Sequence, residues 1–423
     1  MTTPTDRSTS PFVWRWLRRL AWSALAGGLA LAVIAGAIVL APLEPPAFVA
    51  GPHRVSVVET RQIVPGDGLP NETNPGASNN NLDALRHHDG FVYLAFRTAP
   101  HHFASPDTRI EVVRSRDEIL WEHETSYALG TDLREPRLLS HGGGLFLYVS
   151  ELGSDPFDFE PRGIRVAERD ASGAWSTLDP LPGGEGFIGW RARKLGGESL
   201  LIVYSGGGSI YSAGPAALQI ELWKTQDGRH FAPFSPKHPV LDAGGGSEAD
   251  FNLLADGSLI ALVRNEGGDS LGWGSKICTA PAGDPANWHC RGDRRKFDSP
   301  FAFRHDGTAY FIARRNLFRD GNYDLEIGPG RFLRSLINQI VYSATPKRCA
   351  LWRFDPATRR IRWVIDLPSR GDTCFAAALP GSDSNEVVVY DYSSPLSGPD
   401  LRWIRGQRGE TRIYRHVLRF TRS

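Results

Sequence analysis

The sequence predicts an all-β fold, a six-bladed β-propeller, preceded by one N-terminal transmembrane helix. Three observations lead to this prediction. Short runs rich in β-branched and aromatic residues recur from about residue 82 onward, Gly, Asp, Asn or Pro separate them at quasi-regular spacing, and a long uncharged segment lies near the N-terminus. The 423 residues include 45 Gly, 30 Pro and 12 Trp, a composition typical of many tight turns between aromatic-rich strands.

The uncharged segment covers residues 20–41 and reads LAWSALAGGLALAVIAGAIVLA. As a helix it is long enough to cross the hydrocarbon layer of about 30 Å. Four arginines precede it: Arg7, Arg15, Arg18 and Arg19. A Pro-rich segment follows, and this asymmetry predicts a cytoplasmic N-terminus. A cleaved signal peptide is the alternative, but the basic region is long and the apolar run exceeds the usual length. We therefore expect a cytoplasmic basic segment at 1–19, a transmembrane helix at 20–41, and the rest of the chain in the periplasm or outside the cell.

The remaining chain divides into a lead-in and a globular part. Residues 42–80 are rich in Pro, Gly and Asn and are expected to form a linker. From residue 81 to 423, runs such as FVYLAF, LFLYVS, SLIALV and EVVVYDY predict strands. Strand clusters joined by Asp-Gly or Gly-Gly turns are typical of a radial array of four-stranded blades, because one blade cannot bury both of its faces alone. About six blades fit this length.

Four cysteines lie in the part that would face an oxidising compartment, where disulfides are permitted: Cys278, Cys290, Cys349 and Cys374. Cys278 and Cys290 flank a short loop, so a bridge between them would staple a hairpin, while unpaired buried thiols remain the alternative. No C-x-x-C pattern is present, and neither a metal nor a cofactor is expected. The net charge of +1 gives no indication of a nucleic-acid partner.

Two segments share the pattern S/T-x-D-x-x-x-W/F, namely Ser115 to Trp121 and Thr225 to Phe231. In such a turn the Asp and the hydroxyl accept backbone N–H groups while the aromatic ring fills the blade. These segments resemble the Asp-box, or BNR repeat, of sialidases, although Glu118 stands where Gly is usual. The role implied is structural.

The resemblance extends over residues 79–420 to bacterial sialidase-like six-bladed propellers described as exo-sialidase or BNR-repeat proteins. The landmarks that carry it occur in this order: Phe96-Arg97 and His101; Asp132 to Leu138; Trp190-Arg191; Ser247-Glu248 and Arg264; Ser299-Pro300 and Arg314-Arg315; Leu367 to Thr373; and Tyr392 to Ser394. Each motif alone is weak, and the specificity comes from their number and order.

The resemblance implies a binding site on the propeller axis. Three arginines of sialidases clamp the substrate carboxylate, because guanidinium groups match it with bidentate hydrogen bonds, and the candidates are Arg97, Arg264 and either Arg314 or Arg315. Glu248 precedes Arg264 at a spacing like that of the glutamate that activates the tyrosine nucleophile. The other residues expected to contact substrate are His101, Arg134, Trp190, Arg191, Asp372 and Tyr392.

The sequence departs from the sialidase pattern at the nucleophile, because Phe375 stands where the tyrosine is expected. The replacements considered are Tyr392, Tyr323 and Tyr342, and those for the acid/base residue are Asp83, Asp107 and Asp132. A second interpretation keeps the pocket and assigns acid and base roles to a pair among Asp132, Glu135 and Glu248, with His101 as a proton carrier, in a hydrolase of a non-sialic sugar.

Structural roles compete with these assignments. Arg134 and Glu135 can join neighbouring blades by an ion pair, Trp190 can fill a blade, and Asp372 can form a turn. We expect a membrane-anchored, sialidase-like glycoside hydrolase acting on a terminal sugar, such as sialic acid or another acidic sugar. The alternative is a non-catalytic carbohydrate-binding propeller that lost its nucleophile.

Overall fold

A computed structural model describes residues 22, 28, 36, 46–70, 73, 76–155, 158–206, 217–317 and 321–423. The chain divides into two units, Met1–Leu43 and Glu44–Ser423, and the second unit is the one described below. The segment expected to span a membrane, 20–41, lies outside the described residues except for three positions, so it stays a prediction. Within the described residues, no helix combines the length and the apolar character that crossing a bilayer requires.

Twenty-five described strands form six antiparallel sheets, one for each blade of the predicted propeller. The first blade consists of β2 (Ser78–Arg86), β3 (Val92–Ala99), β4 (Arg109–Ser115) and β5 (Glu122–Tyr127), and the second of β6 (Asp132–His141), β7 (Gly144–Leu152), β8 (Pro161–Arg169) and β9 (Asp179–Glu185). The third consists of β10 (Ile188–Leu195), β11 (Glu198–Ser205), β12 (Leu218–Thr225) and β13 (Phe231–Pro233), with β14 (Val240–Gly244) also paired to β12. The next two are β15 (Gly246–Leu253), β16 (Leu259–Asn265), β17 (Ser275–Ala280) and β18 (His289–Asp293); and β19 (Asp298–His305), β20 (Thr308–Asn316), β21 (Lys347–Asp355) and β22 (Arg360–Asp366).

The sixth blade is built from both ends of the domain and corrects one boundary. It consists of β23 (Ala377–Pro380), β24 (Glu386–Ser393), β25 (Arg412–Arg422) and, as its outer strand, β1 (His53–Val64). The expected linker at 42–80 is therefore wrong for 53–64, which pairs with β25 from His53 opposite Arg422 to Val64 opposite Ile413. Its sequence, HRVSVVETRQIV, alternates in burial only from His53 to Val57, and the next five residues are all exposed, as an outer strand allows.

The second strand of each blade explains the continuous apolar runs in the sequence. All eight residues of β3 are buried, and β7, β11, β16, β20 and β24 are buried along nearly their whole length. A strand inside a propeller is covered on both faces by neighbouring blades, so both sets of its alternating side chains are apolar.

The two predicted Asp-box turns are confirmed in geometry. Asp117 Oδ1 accepts the N–H groups of Ile119 (2.8 Å) and Leu120 (2.9 Å). Glu118 has φ 59°, a left-handed conformation that normally favours Gly. Its carboxylate compensates by pairing with Arg86 (2.5 Å) and Arg415 (3.0 Å).

The four cysteines form two disulfides. Cys278–Cys290, the predicted pair, joins β17 to β18 across directly opposed positions. Cys349 of β21 pairs with Cys374, next to Phe375. The second bridge therefore links the fifth blade to the start of the sixth.

Two helices lie in connections between strands. Helix α1 (Gly330–Ala344) lies between β20 and β21, and α2 (Trp403–Gln407) lies between β24 and β25. The two helices meet where the ring of Tyr342 contacts that of Trp403 edge to face, with 5.1 Å between ring centroids.

Candidate functional site

A cavity of about 370 Å³ opens on the propeller axis and is lined by residues from all six blades. The lining residue that each blade supplies from its inner strand, or from the segment leading into it, is in order Asn81, Glu135, Ile188, Glu248, Ser299 and Phe375. Residues far apart along the chain therefore line one cavity.

A repeated irregularity of the inner strands aims these side chains at the cavity. The register between first and second strand shifts in five blades, and the shift falls next to the lining residue each time. Asn81, Glu135 and Ser299 have φ values of 43°, 53° and 54°. A β-bulge turns a side chain out of the alternation of its strand, and left-handed backbone at a non-Gly residue is strained and concentrates at functional sites.

The surroundings of Glu135 raise the pKa of its carboxyl group. Burial raises its pKa to about 7, the nearby Glu248 raises it too, and Arg137 opposes both. Arg137 Nη2 donates to Glu135 Oε2 at 3.1 Å. Glu135 can therefore carry a proton near neutral pH and give it to a substrate oxygen.

Glu248 lies in the same cavity in a contrasting environment. One oxygen accepts from the guanidinium of Arg264, and the other accepts the backbone N–H of Ser299 at 2.7 Å. Both oxygens of Glu248 are thus held by hydrogen-bond donors, one of which is a charged guanidinium. Two carboxyl groups with such different surroundings are the arrangement that separates acid and base roles in one site.

Arg264 and Arg314, two of the arginines predicted to clamp a substrate carboxylate, line the cavity, and each has internal partners. Arg264 pairs with Glu248, Glu266 and Asp298. Arg314 donates to the carbonyl oxygen of Thr373 at 2.6 Å and lies 3.6 Å from Asp298. A substrate carboxylate would have to share both guanidinium groups with these partners.

Three tyrosines line the cavity wall. Tyr392 donates to Asp372 at 3.1 Å, and Asp372 pairs with His102 at 2.7 Å, so Asp372 is buried behind the wall and does not line the cavity. Tyr342 donates to Asp298. Tyr204, the third, was not predicted.

Tyr204 lies close enough to Glu135 and Glu248, the two candidate catalytic carboxyl groups, for both to act on it electrostatically. Burial raises its pKa, and Glu135 and Glu248 raise it further. The residue lies near the end of β11 as Arg264 does in β16 and Tyr392 in β24. Its position near the end of an apolar strand is the signal in the sequence that could have identified it.

Tyr323, the remaining replacement considered for the nucleophile, is buried behind the wall, where Lys296 lies over its ring at 4.1 Å. Other cavity residues missed by the sequence analysis are His102, Glu266 and Lys296. Neither Lys296 nor Glu266 falls in a motif that would have singled it out.

Arg97 was predicted to clamp the substrate and Asp132 to act as an acid, but neither side chain lines the cavity. Both side chains are fully buried, and they pair at 2.7 Å. The loop after β3 folds over Arg97, which donates to the carbonyl oxygens of His101 (3.1 Å) and Phe103 (2.9 Å). Arg97 and Arg134 hold the pKa of Asp132 at about 2 although burial opposes this. The pair supports the wall, while Arg134 itself lines the cavity.

His101, Trp190 and Arg191 are also outside the cavity. His102, not His101, lines it. Trp190 is fully buried against Phe375, with 5.0 Å between ring centroids. Arg191 is buried and donates to the carbonyl oxygens of Pro300 (3.3 Å) and Ala376 (3.1 Å). It therefore joins the third blade to the fifth and sixth.

The remaining alternatives have structural contacts too. Arg315 pairs with Asp366 at 2.5 Å. Of the two adjacent arginines, Arg314 is therefore the one that lines the site. Asp83 accepts the backbone N–H of Leu138 at 2.9 Å. Asp107 lies outside the lining of the cavity.

Comparisons with known proteins give structural relatives. No protein-family model and no curated protein matches the sequence. The fold is similar to that of a protein of unknown function from Dyadobacter fermentans, with a TM-score of 0.58 and 15% identity over 87% of this chain and 99% of that one. The endosialidase of phage phi92 gives a TM-score of 0.53 and 10% identity over 88% and 70% of the two chains.

A sialidase of Trypanosoma rangeli, in complex with the inhibitor DANA, gives a TM-score of 0.51 and 14% identity. The match covers 81% of this chain and 55% of that one. Identities this low establish the fold and not the activity. The chain is a sialidase-like six-bladed β-propeller.

Proposed function

We propose that this protein is a glycoside hydrolase that acts on a terminal sugar in the axial cavity. Glu135 is its general acid and Glu248 its ionised carboxylate. The observation that carries the proposal is the contrast between these two groups: burial raises the pKa of Glu135 to about 7, whereas Glu248 accepts from Arg264 and from a backbone N–H.

The chemistry follows from that contrast. A protonated Glu135 gives its proton to the glycosidic oxygen as the bond from that oxygen to the anomeric carbon breaks, and the Glu248 carboxylate stabilises the positive charge that develops at the sugar ring. Water then adds to the anomeric carbon and gives a proton back to Glu135, which releases the sugar and restores the acid. The structural relatives include sialidases, which supports a sugar as the ligand. Arg134, Arg264 and Arg314 line the cavity, so sialic acid or another acidic sugar is the first substrate to test.

The test is hydrolysis by the purified full chain of a panel of aryl glycosides, sialosides and uronides. We expect turnover of at least one member and a loss of about 10²- to 10³-fold for Glu248→Gln, the usual effect of removing one group that stabilises charge in a transition state. The matched control is Glu122→Gln, because Glu122 is an exposed glutamate of the outer strand β5, and it should retain full activity. Absence of hydrolysis across the panel, or unchanged rates in Glu248→Gln, would refute the proposal.

A second candidate function is carbohydrate binding without turnover. Phe375 favours it, because this side chain lines the cavity and has no oxygen to act as a nucleophile. Saturable binding on a glycan array that Arg134→Ala abolishes, together with flat hydrolysis assays, would select this alternative.

We further propose that residues 20–41 anchor the domain in a membrane with the propeller in the periplasm or outside the cell. The uncharged 22-residue stretch and the arginines before it support this. The chain should remain in the membrane pellet after alkaline carbonate extraction. Release into the supernatant, or mature protein beginning after Ala37, would favour the cleaved signal peptide.

A further inference from the structure

Helix α1 packs its polar side against the rim of the cavity. Its buried residues are Asn338, Val341 and Tyr342. Asn338 accepts the backbone N–H of Leu325 at 3.2 Å, and Tyr342 donates to a buried carboxylate. Two of the three residues that fix the helix to the domain are therefore polar.

The opposite side of α1 is apolar and exposed. Phe332, Leu336 and Ile340 are 62%, 43% and 50% exposed, and Leu333 beside them is 39% exposed. Residues four apart lie in one row along a helix. A surface helix normally turns its apolar row toward the core, so α1 has the reverse orientation and presents this row to something outside the domain.

Three arginines lie on α2 and its ends, next to α1: Arg402, Arg405 and Arg408. All three are exposed, and their spacing of three places them on one side of the helical turn. Within the described part of the chain, their side chains form neither ion pairs nor hydrogen bonds. The apolar row is thus accompanied by uncompensated positive charge.

This combination matches one kind of partner best. An exposed apolar helix row, next to a second helix that carries exposed arginines, is suited to the boundary between acyl chains and anionic headgroups. A second copy of this chain fits less well, because a two-fold contact would bring the same arginines of both copies together. We propose that the surface formed by α1 and α2 docks on an anionic lipid bilayer.

The proposed docking bears on access to the cavity. Gln339 and Tyr342 of α1, and Trp403 and Ile404 of α2, also line it. Docking would therefore bring this part of the rim to the level of the headgroups, where glycans of membrane lipids are presented. The docking proposal does not depend on whether the site hydrolyses its ligand.

The test places an environment-sensitive fluorophore on the full chain in vesicles. The native cysteines are paired in disulfides, so a single introduced cysteine can be labelled at Leu336→Cys, with Ile340→Cys as a second site. The control is Leu120→Cys, an exposed apolar position of the first Asp-box turn. Vesicles contain phosphatidylcholine alone or with phosphatidylglycerol, and doxyl-labelled lipid serves as the quencher.

We expect doxyl lipid to quench the labels on α1 in phosphatidylglycerol vesicles and to leave the label at position 120 unquenched. The triple variant Arg402→Gln, Arg405→Gln, Arg408→Gln should lower the ratio of docked to undocked α1 on the order of a hundredfold. Equal quenching of the α1 and control labels would overturn the proposal. A blue shift that grows with protein concentration without lipid would show that a second copy covers the row, and would overturn it too.

Discussion

The substitution Glu135→Gln separates a catalytic role from a structural one. Glutamine preserves the size of the side chain but carries no proton that it can release. Because proton transfer from a positioned acid contributes about 10²- to 10⁴-fold to a rate, kcat/KM should fall by that factor. In the native protein kcat/KM should also decline as pH rises through about 7, where Glu135 loses its proton.

The same substitution should change the pH dependence of stability. The pKa of Glu135 rises from 4.5 to about 7 on folding, chiefly through burial. The native state therefore holds a proton that the unfolded chain releases, and the free energy of unfolding falls as pH rises from 4.5 to about 7. This difference amounts to about 3 kcal/mol, and the glutamine variant should lack it.

Urea unfolding of the native chain and the variant at about pH 4.5 and about pH 8 measures the effect. Relative to the native chain, Glu135→Gln should gain about 3 kcal/mol between these two pH values. The control Glu122→Gln should track the native chain, since its carboxylate is exposed. Parallel curves for Glu135→Gln and the native chain, with equal kcat/KM, would refute the assignment of Glu135 as a buried acid.

Three structural predictions complete the set. Arg97→Ala leaves the Asp132 carboxylate without its fully buried partner, and should cost about 3–5 kcal/mol of unfolding free energy in urea titrations. Asp227→Ala removes the acceptor of two backbone N–H groups, and should lower stability by about 1 kcal/mol while leaving ligand binding unchanged. Replacing Cys349 and Cys374 by alanine opens a loop of 25 residues, and should lower stability by about 3 kcal/mol in thermal unfolding.

The fold was predictable because each blade repeats the same local signals. The apolar second strands and the turns between them are visible in the sequence, and the Asp of each Asp-box turn accepts two backbone N–H groups as predicted. The hydroxyl accepts backbone N–H groups only in the second turn, whereas Ser115 of the first donates to Asp117. The strand β1 was not recognised. It alternates weakly and pairs with residues about 360 positions later, and local patterns carry no information about such a distant partner.

The site was predictable where a residue ends a strand that reaches the cavity. Arg264, Arg314 and Tyr392 follow this rule and line it, while Glu248 lines it from near the start of β15. Arg97 obeys the same rule, yet the loop after β3 covers it with carbonyl oxygens. The path of such a loop depends on tertiary packing, which strand spacing does not encode.

The β-bulges explain why the direction of a second group of side chains was not predicted. Glu135 and its neighbours change direction at a register shift, so alternation along the strand no longer tells which side chains point inward. Trp190 and Arg191 lie at the corresponding shift of the third blade. Both were expected in the cavity, and both fill the structure beneath it.

The closing blade makes completion of the ring a late event in biosynthesis. β25 (Arg412–Arg422) is the only described strand that pairs with β1, and all the other described strands lie between the two along the chain. During synthesis the edge of β1 therefore stays without a partner until β25 has left the ribosome. An unpaired strand edge favours association with other chains, so deletion of β25 should convert this protein into an aggregating species.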